Sequence, residues 1–245
     1  SAFRDHLLKK DIMAYFLDRF RFEIFIKNIK VIQKSQEVQE QMEKVHELKT
    51  QQDGDYFLTS LLIRPLSGNF GSSKTVDATI LVRQKKTFQF QKWNAEIGGD
   101  ICGIYSLPLR GKQYTVFING DAMGKSIQGA GGALVLGTVF KSVIARTQQS
   151  PAAQNRFPEH WLKECFIELQ NVFISFDGTM LASAVIGLID DETGFLYYLN
   201  AEHPWIVLYR EKKAVFLEDE LLLRKIGIEG LEGSLRIKTY QLQAG

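Results

Sequence analysis

From about residue 5 to residue 52 the chain contains neither proline nor glycine and is rich in Gln, Glu and Lys, until Asp53-Gly54-Asp55 breaks the pattern. A run of this length without a helix breaker commits that part of the chain to one long helix. Ile24, Val31, Val38 and Val45 recur every seventh residue, the period of a coiled-coil seam, but the positions four residues after the first three are Asn28, Ser35 and Met42. Half of the seam is therefore polar or flexible. It reads as a parallel dimer linker that passes a signal to the next domain, or as a helix packed on its own domain or left as an exposed connector. Gly54 and its acidic neighbours are expected to stop the helix, giving a helical linker over 1–52 and a second domain over 53–245.

The second domain changes period. Tyr56 to Ile63, Val76 to Val82, Thr87 to Phe90 and Tyr114 to Ile118 read as strands, the last ending at Asn119-Gly120-Asp121. A helix follows from about Ser126 to Arg146, carrying Gly129, Gly131, Gly132 and Gly137, which are costly in a helix unless something must approach closely. A second helix is expected from about Pro158 to Asn171. Met180 to Ile189, Phe195 to Asn200 and Trp205 to Tyr209 then read as strands. Strands, two helices and strands again favour an α+β layered fold over an alternating parallel sheet.

Composition removes several function classes. With 30 basic and 28 acidic residues the net charge is +2, and no basic stripe suggests a nucleic-acid partner. The two cysteines, Cys102 and Cys165, cannot form a disulfide framework, so a reducing cytosol is the expected compartment and small buried hydrophobes the expected role. No uncharged apolar stretch reaches the roughly 18 to 20 residues of a membrane span, and no signal-peptide pattern is present. The reading is cytoplasmic, with the intracellular part of a larger membrane sensor left open.

Chemistry concentrates in two segments, Glu96-Ile97-Gly98-Gly99-Asp100 and Asn119-Gly120-Asp121-Ala122-Met123-Gly124-Lys125. An Asp flanked by Gly at a strand end is exposed where backbone can approach a ligand. Two such carboxylates brought together make a hard oxygen site suited to Mg²⁺ or Mn²⁺. A pair of such ions can activate a water and clamp a phosphoryl group for in-line attack. Taken singly, each segment is also an ordinary Gly-Asp turn.

The ordered set is more specific. These two segments, then Ser183 to Asp190 with Thr193-Gly194, then Asn200-Ala201-Glu202-His203-Pro204, resemble the signature series of bacterial 2C-type (PPM-type) phosphatases. The branch is that of sporulation protein E and the stress-response regulatory phosphatases, and the resemblance runs from about Tyr56 onward. It implies an α-β-β-α sandwich of two antiparallel sheets flanked by helices, with two Mn²⁺ or Mg²⁺ ions at one end. It implies that Asp121 bridges both metals, that Ala122 lends its carbonyl to one, and that Asp100 serves the second. The glycine-rich helix resembles the family's first switch helix. The implied activity is hydrolysis of phosphoserine or phosphothreonine on a protein partner by metal-activated water. In that branch the partner is often an antagonist of an anti-sigma factor.

This chain departs from the pattern in several places. The second acid of the first motif is replaced by Gly103, Met123 stands where eukaryotic relatives carry a His acid, and Trp93-Asn94-Ala95 holds no phosphate-binding Arg. Glu202 and His203 are expected at the site rim, with a role in substrate choice or an accessory metal, though the segment also reads as a hairpin turn. The sequence reaches Ala244-Gly245 where the family's further Asp motifs would begin, so the reading expects incomplete metal binding and weak or absent activity. Two rivals remain. One is a non-catalytic, phosphatase-like dimeric signalling module. The other is a P-loop built on Gly124-Lys125-Ser126, against which stand Asn119 at the required glycine and Asp121 within the phosphate nest.

Overall fold

The computed structural model describes residues 2–230 and 235–243, with side chains from residue 9 onward. Ala244 and Gly245, where the sequence reading locates the break before the further Asp motifs, lie outside the described residues. The chain divides into two compact units, Ser1–Gln52 and Asp53–Gly245.

The first unit is helical throughout its described length and belongs to α1 (Ala2–Ile63). Its seam residues Ile24, Val31, Val38 and Val45 are all exposed.

In the second unit α1 continues beyond Gly54 to Ile63, where a strand was expected. The aromatic content of this stretch suggests a strand, but its buried positions follow helical spacing. Tyr56 packs edge-on against Phe88 with ring centroids 5.7 Å apart, and Phe57 stacks on Phe90 at 5.2 Å. Gly54 does not stop the helix. A Cβ there would lie 3.2 Å from the Phe90 ring, so the glycine makes room for that ring against the helix. The rings belong to a ribbon of β2 (Lys86–Phe90) and β3 (Trp93–Ile97), and with Ile97 and Ala130 they form a small separate core.

The main sheet has six strands in the order β1 (Gly68–Phe70), β4 (Asp100–Leu109), β5 (Lys112–Ala122), β6 (Ala182–Asp190), β7 (Phe195–Ala201) and β10 (Lys238–Gln241). Only β1 is parallel to its neighbour; every other pairing is antiparallel. Along β5, Tyr114, Val116, Ile118, Gly120 and Ala122 are buried, the period-two signature of a strand with one face in the core. That face is covered by α2 (Ile127–Gln149) and α4 (Pro158–Ile174), joined through the short α3 (Pro151–Gln154). Helix α4 starts on Pro158 and buries Trp161, Leu162, Cys165, Phe166, Leu169 and Phe173 as one stripe. The buried Trp161 indole donates to Thr147 Oγ1 at 2.9 Å, so its N–H is not left unpaired beneath the helices. A second ribbon, β8 (Val207–Arg210) with β9 (Lys213–Phe216), is tied to the sheet by the Tyr198 hydroxyl donating to the Leu217 carbonyl at 3.3 Å.

The α+β class, the long N-terminal helix and the antiparallel sheets agree with expectation. One more local reading needs correction. Val76 to Val82 forms no strand and is an irregular segment, held by Asn69 donating to the Ala78 carbonyl and by Thr75 donating to the Asp191 carbonyl. Helix α2 is long and apolar enough to cross a membrane by length and composition, although Lys141 and Arg146 keep its uncharged run shorter than a span. Its apolar side is turned into the sheet, with Ala130, Ala133, Leu136, Phe140, Val143 and Ile144 buried.

Candidate metal centre

Strands β4 and β5 pair so that Asp100 lies directly opposite Asp121, and β5 and β6 pair so that Asp121 lies opposite Ser183. The result is one row across three strands: Asp100, Asp121, Ser183. The β6–β7 pairing ends one rung short of it, at Ala184–Ala201, and Glu202 follows as the first residue past β7. Directly opposed residues of an antiparallel pair project to the same face. Gly120 and Ala122 face α2, so Asp121 and its partner Asp100 project from the other face.

Glycine makes the close approach possible at the turn into this row. A Cβ on Gly99 would collide with the Ala122 carbonyl oxygen and come within 2.8 Å of Asp121 Oδ1. The Ala122 N–H meanwhile donates to the Gly99 carbonyl at 3.0 Å, pinning the two strand ends together. Any larger residue at 99 would cover the oxygens that a ligand needs.

Electrostatics follow from the pairing. Burial, and then the neighbouring Asp121, push the Asp100 carboxyl above the ordinary carboxylate range. Cys102 on the same face is pushed up by burial and by Asp100. Burial holds His203 below its usual value, against an opposing pull from Asp121. The His203 Nδ1 lies 3.0 Å from Ser183 Oγ, and that hydroxyl is 3.5 Å from the Asp121 carbonyl oxygen. Asn200 caps the turn by accepting from the His203 N–H at 2.8 Å and donating to the His203 carbonyl at 3.0 Å. Glu202 occupies the left-handed region with φ 51°. The segment is therefore a turn, and it brings the His203 side chain to Ser183 in the row.

The oxygens present suit a divalent cation in kind: two opposed carboxylates and the carbonyl of Ala122, left uncovered by Gly99. They fall short in number, since among the described residues no three His, Cys, Asp or Glu side chains gather as a set able to hold a metal ion. The P-loop alternative fails on topology. The strand before Gly124-Lys125-Ser126 is antiparallel to both neighbours, whereas that motif belongs to a parallel βαβ unit.

Sequence reasoning missed Ser183 as a site residue, because only the β5–β6 register brings it to Asp121. It also missed Arg224 and Lys225, which lie beside Glu202.

The family described as stage II sporulation protein E (SpoIIE) matches residues 111–245, more than half of the chain, and the chain belongs to that family. Among solved structures, the RsbU and RsbW domains of a Mycobacterium tuberculosis protein match at 20% identity and a TM-score of 0.45, over 60% of this chain and 36% of that one. The PP2C phosphatase domain with a fragment of the regulatory domain of SpoIIE from Bacillus subtilis matches at 12% identity and a TM-score of 0.45, over 61% of this chain and 39% of that one. The chain thus spans well under half the length of either. No curated protein matches the sequence.

Proposed function

We propose that this chain is the phosphatase domain of a bacterial signalling protein, hydrolysing phosphoserine or phosphothreonine on a protein partner with the help of Mn²⁺ or Mg²⁺. The observation that carries the reading is the register pairing of Asp100 with Asp121 at a glycine-lined strand end. Burial and the neighbouring Asp121 charge raise the cost of ionising Asp100, which a fold tolerates most readily where a cation offsets it.

Asp121 and the Ala122 carbonyl would hold one ion, with Asp121 shared and Asp100 serving a second. Bound ions would lower the pKa of a water and neutralise charge building on the phosphoryl oxygens. The chain's own contribution is positioning. Gly99 keeps the carboxylates uncovered, the Ala122–Gly99 hydrogen bond fixes their separation, and Ser183 orients His203 beside Asp121. Glu202 and His203 form the rim on the β7 side.

The partner fits a phosphorylated antagonist of an anti-sigma factor, in a cytoplasmic setting. Helix α1 would join two copies through Ile24, Val31, Val38 and Val45. A non-catalytic signalling role is favoured by one observation, the absence of a three-ligand group among the described residues. The two readings separate on hydrolysis of a phosphoserine peptide by the full-length gene product in Mn²⁺. Catalysis requires turnover that drops at least a hundredfold in Asp121→Asn. Equal rates in the two proteins would leave only the signalling role.

A further inference from the structure

A phosphomonoester brings close to two negative charges. The row that would receive it already carries Asp100 and Asp121, with Glu202 just past the end of β7. Positive charge at this end of the sheet is therefore needed beyond whatever a metal provides. It is supplied by the segment that closes the sheet end.

Residues 223–227 are pinned at three points. Leu223 bridges Ala201 in parallel, and Ile226 bridges Ala182 in antiparallel fashion. The Ile226 N–H donates to the Ala182 carbonyl at 2.8 Å, and the Ala182 N–H returns the bond at 3.1 Å. Gly227 donates to Gln170 Oε1 at 2.9 Å, and the Gln170 amide donates to the Ile228 carbonyl at 2.6 Å. Leu223 and Ile226 are buried, so the two residues between them, Arg224 and Lys225, are delivered outward beside the first residues after Ala182 and Ala201. Those are Ser183, in the row, and Glu202, which both cations approach.

Among the described residues, Glu202 is the one carboxylate that pairs with either cation. Arg224 Nη1 stands 3.7 Å from Glu202 Oε2, and Lys225 Nζ stands 4.0 Å from Glu202 Oε1, both too long for hydrogen bonds. Glu202 Oε2 is buried and has no hydrogen-bond partner among the described residues. A buried carboxylate oxygen left without a donor is costly. Each oxygen of this carboxylate faces one cation, and among the described residues neither cation donates a hydrogen bond that would compete with another anion. Ile226 bridges Ala182, which pairs with Ala122 next to Asp121, so this segment stands two strand spacings, roughly 10 Å, from β5, a gap that a phosphoryl group and an extended arginine can bridge.

We propose that Arg224 and Lys225 form the phosphoryl-binding subsite of this centre, with Glu202 holding the two cations in place when no phosphate is bound. The inference rests on the phosphoester reading and adds the residues that recognise the dianion. Arg224 would present a two-pronged donor to phosphoryl oxygens, and Lys225 a point charge.

The test is titration of inorganic phosphate into the metal-free chain, followed by arginine side-chain and backbone NMR shifts, with thermal melting to verify folding. Saturable shifts at Arg224 are expected. Affinity should fall at least fivefold in Arg224→Ala, fall less in Arg224→Lys and Lys225→Ala, and rise severalfold in Glu202→Gln, which removes the competing carboxylate. Lys213→Ala, on the exposed β9, should bind as the unaltered chain does. Absence of saturable binding, or equal affinity in a folded Arg224→Ala/Lys225→Ala variant, would overturn the proposal. The underlying reading is tested separately by Mn²⁺ binding: if Asp121→Asn leaves it unchanged, that reading fails whatever the phosphate data give.

Discussion

At the scale of single residues, the site works against the stability of the metal-free fold. The Asp100 carboxyl is raised by burial first and by Asp121 second. A carboxyl raised above its unfolded value, near 3.9, contributes stability below that pH and loses it as pH climbs through the folded value. Ionising Asp100 in the metal-free protein therefore carries a cost. Asp100→Asn should raise the melting temperature of the metal-free protein at pH 7, by the equivalent of less than about 1 kcal/mol because solvent screens a half-exposed pair. The gain should shrink toward pH 3.5, as read by calorimetry across pH. The acids themselves were legible, because a Gly-Asp at a strand end exposes a carboxylate. Ser183 was not, since its place beside Asp121 depends on the register of two strands some sixty residues apart.

At the scale of elements, α2 explains its own glycines. A Cβ on Gly132 would lie 2.6 Å from the Ala122 Cβ and 2.7 Å from Met180 Sδ, and one on Gly137 would collide with Ile101. A Cβ on Gly131 would meet nothing within 4 Å. Gly132→Ala should therefore destabilise by about 1–3 kcal/mol through overpacking. Gly131→Ala should stabilise by about 0.5–1 kcal/mol through helix propensity alone. Urea denaturation of the two variants checks both signs. The sequence made clear that something must approach this helix, but not which of the glycines it approaches. Strand β4 escaped the reading because Gly103 and Pro108 interrupt its pattern, although Ile101, Leu107 and Leu109 are fully buried. The end of α1 was misread for the opposite reason: Tyr56, Phe57 and Ile63 have strand-like composition on helical spacing.

At the scale of the whole molecule, the first unit presents an apolar seam at Ile24, Val31, Val38 and Val45 that is exposed in the single chain. If that seam pairs two copies, sedimentation should report a dimer. Val31→Asp with Val38→Asp should weaken the dimer at least tenfold while leaving the melting of the second unit unchanged. A concentration-independent monomer before mutation would rule the pairing out. The class of fold was legible because the strand and helix periods alternate in blocks. The pairing order of the sheet was not, since it is set by contacts across the whole second unit.

Mn²⁺ binding tests the central claim most directly, measured by calorimetry or by the resonance of free Mn²⁺ on the unaltered chain, Asp100→Asn and Asp121→Asn. The account predicts saturable binding that weakens at least tenfold in each variant, more in Asp121→Asn. Superimposable isotherms for the three proteins would contradict it.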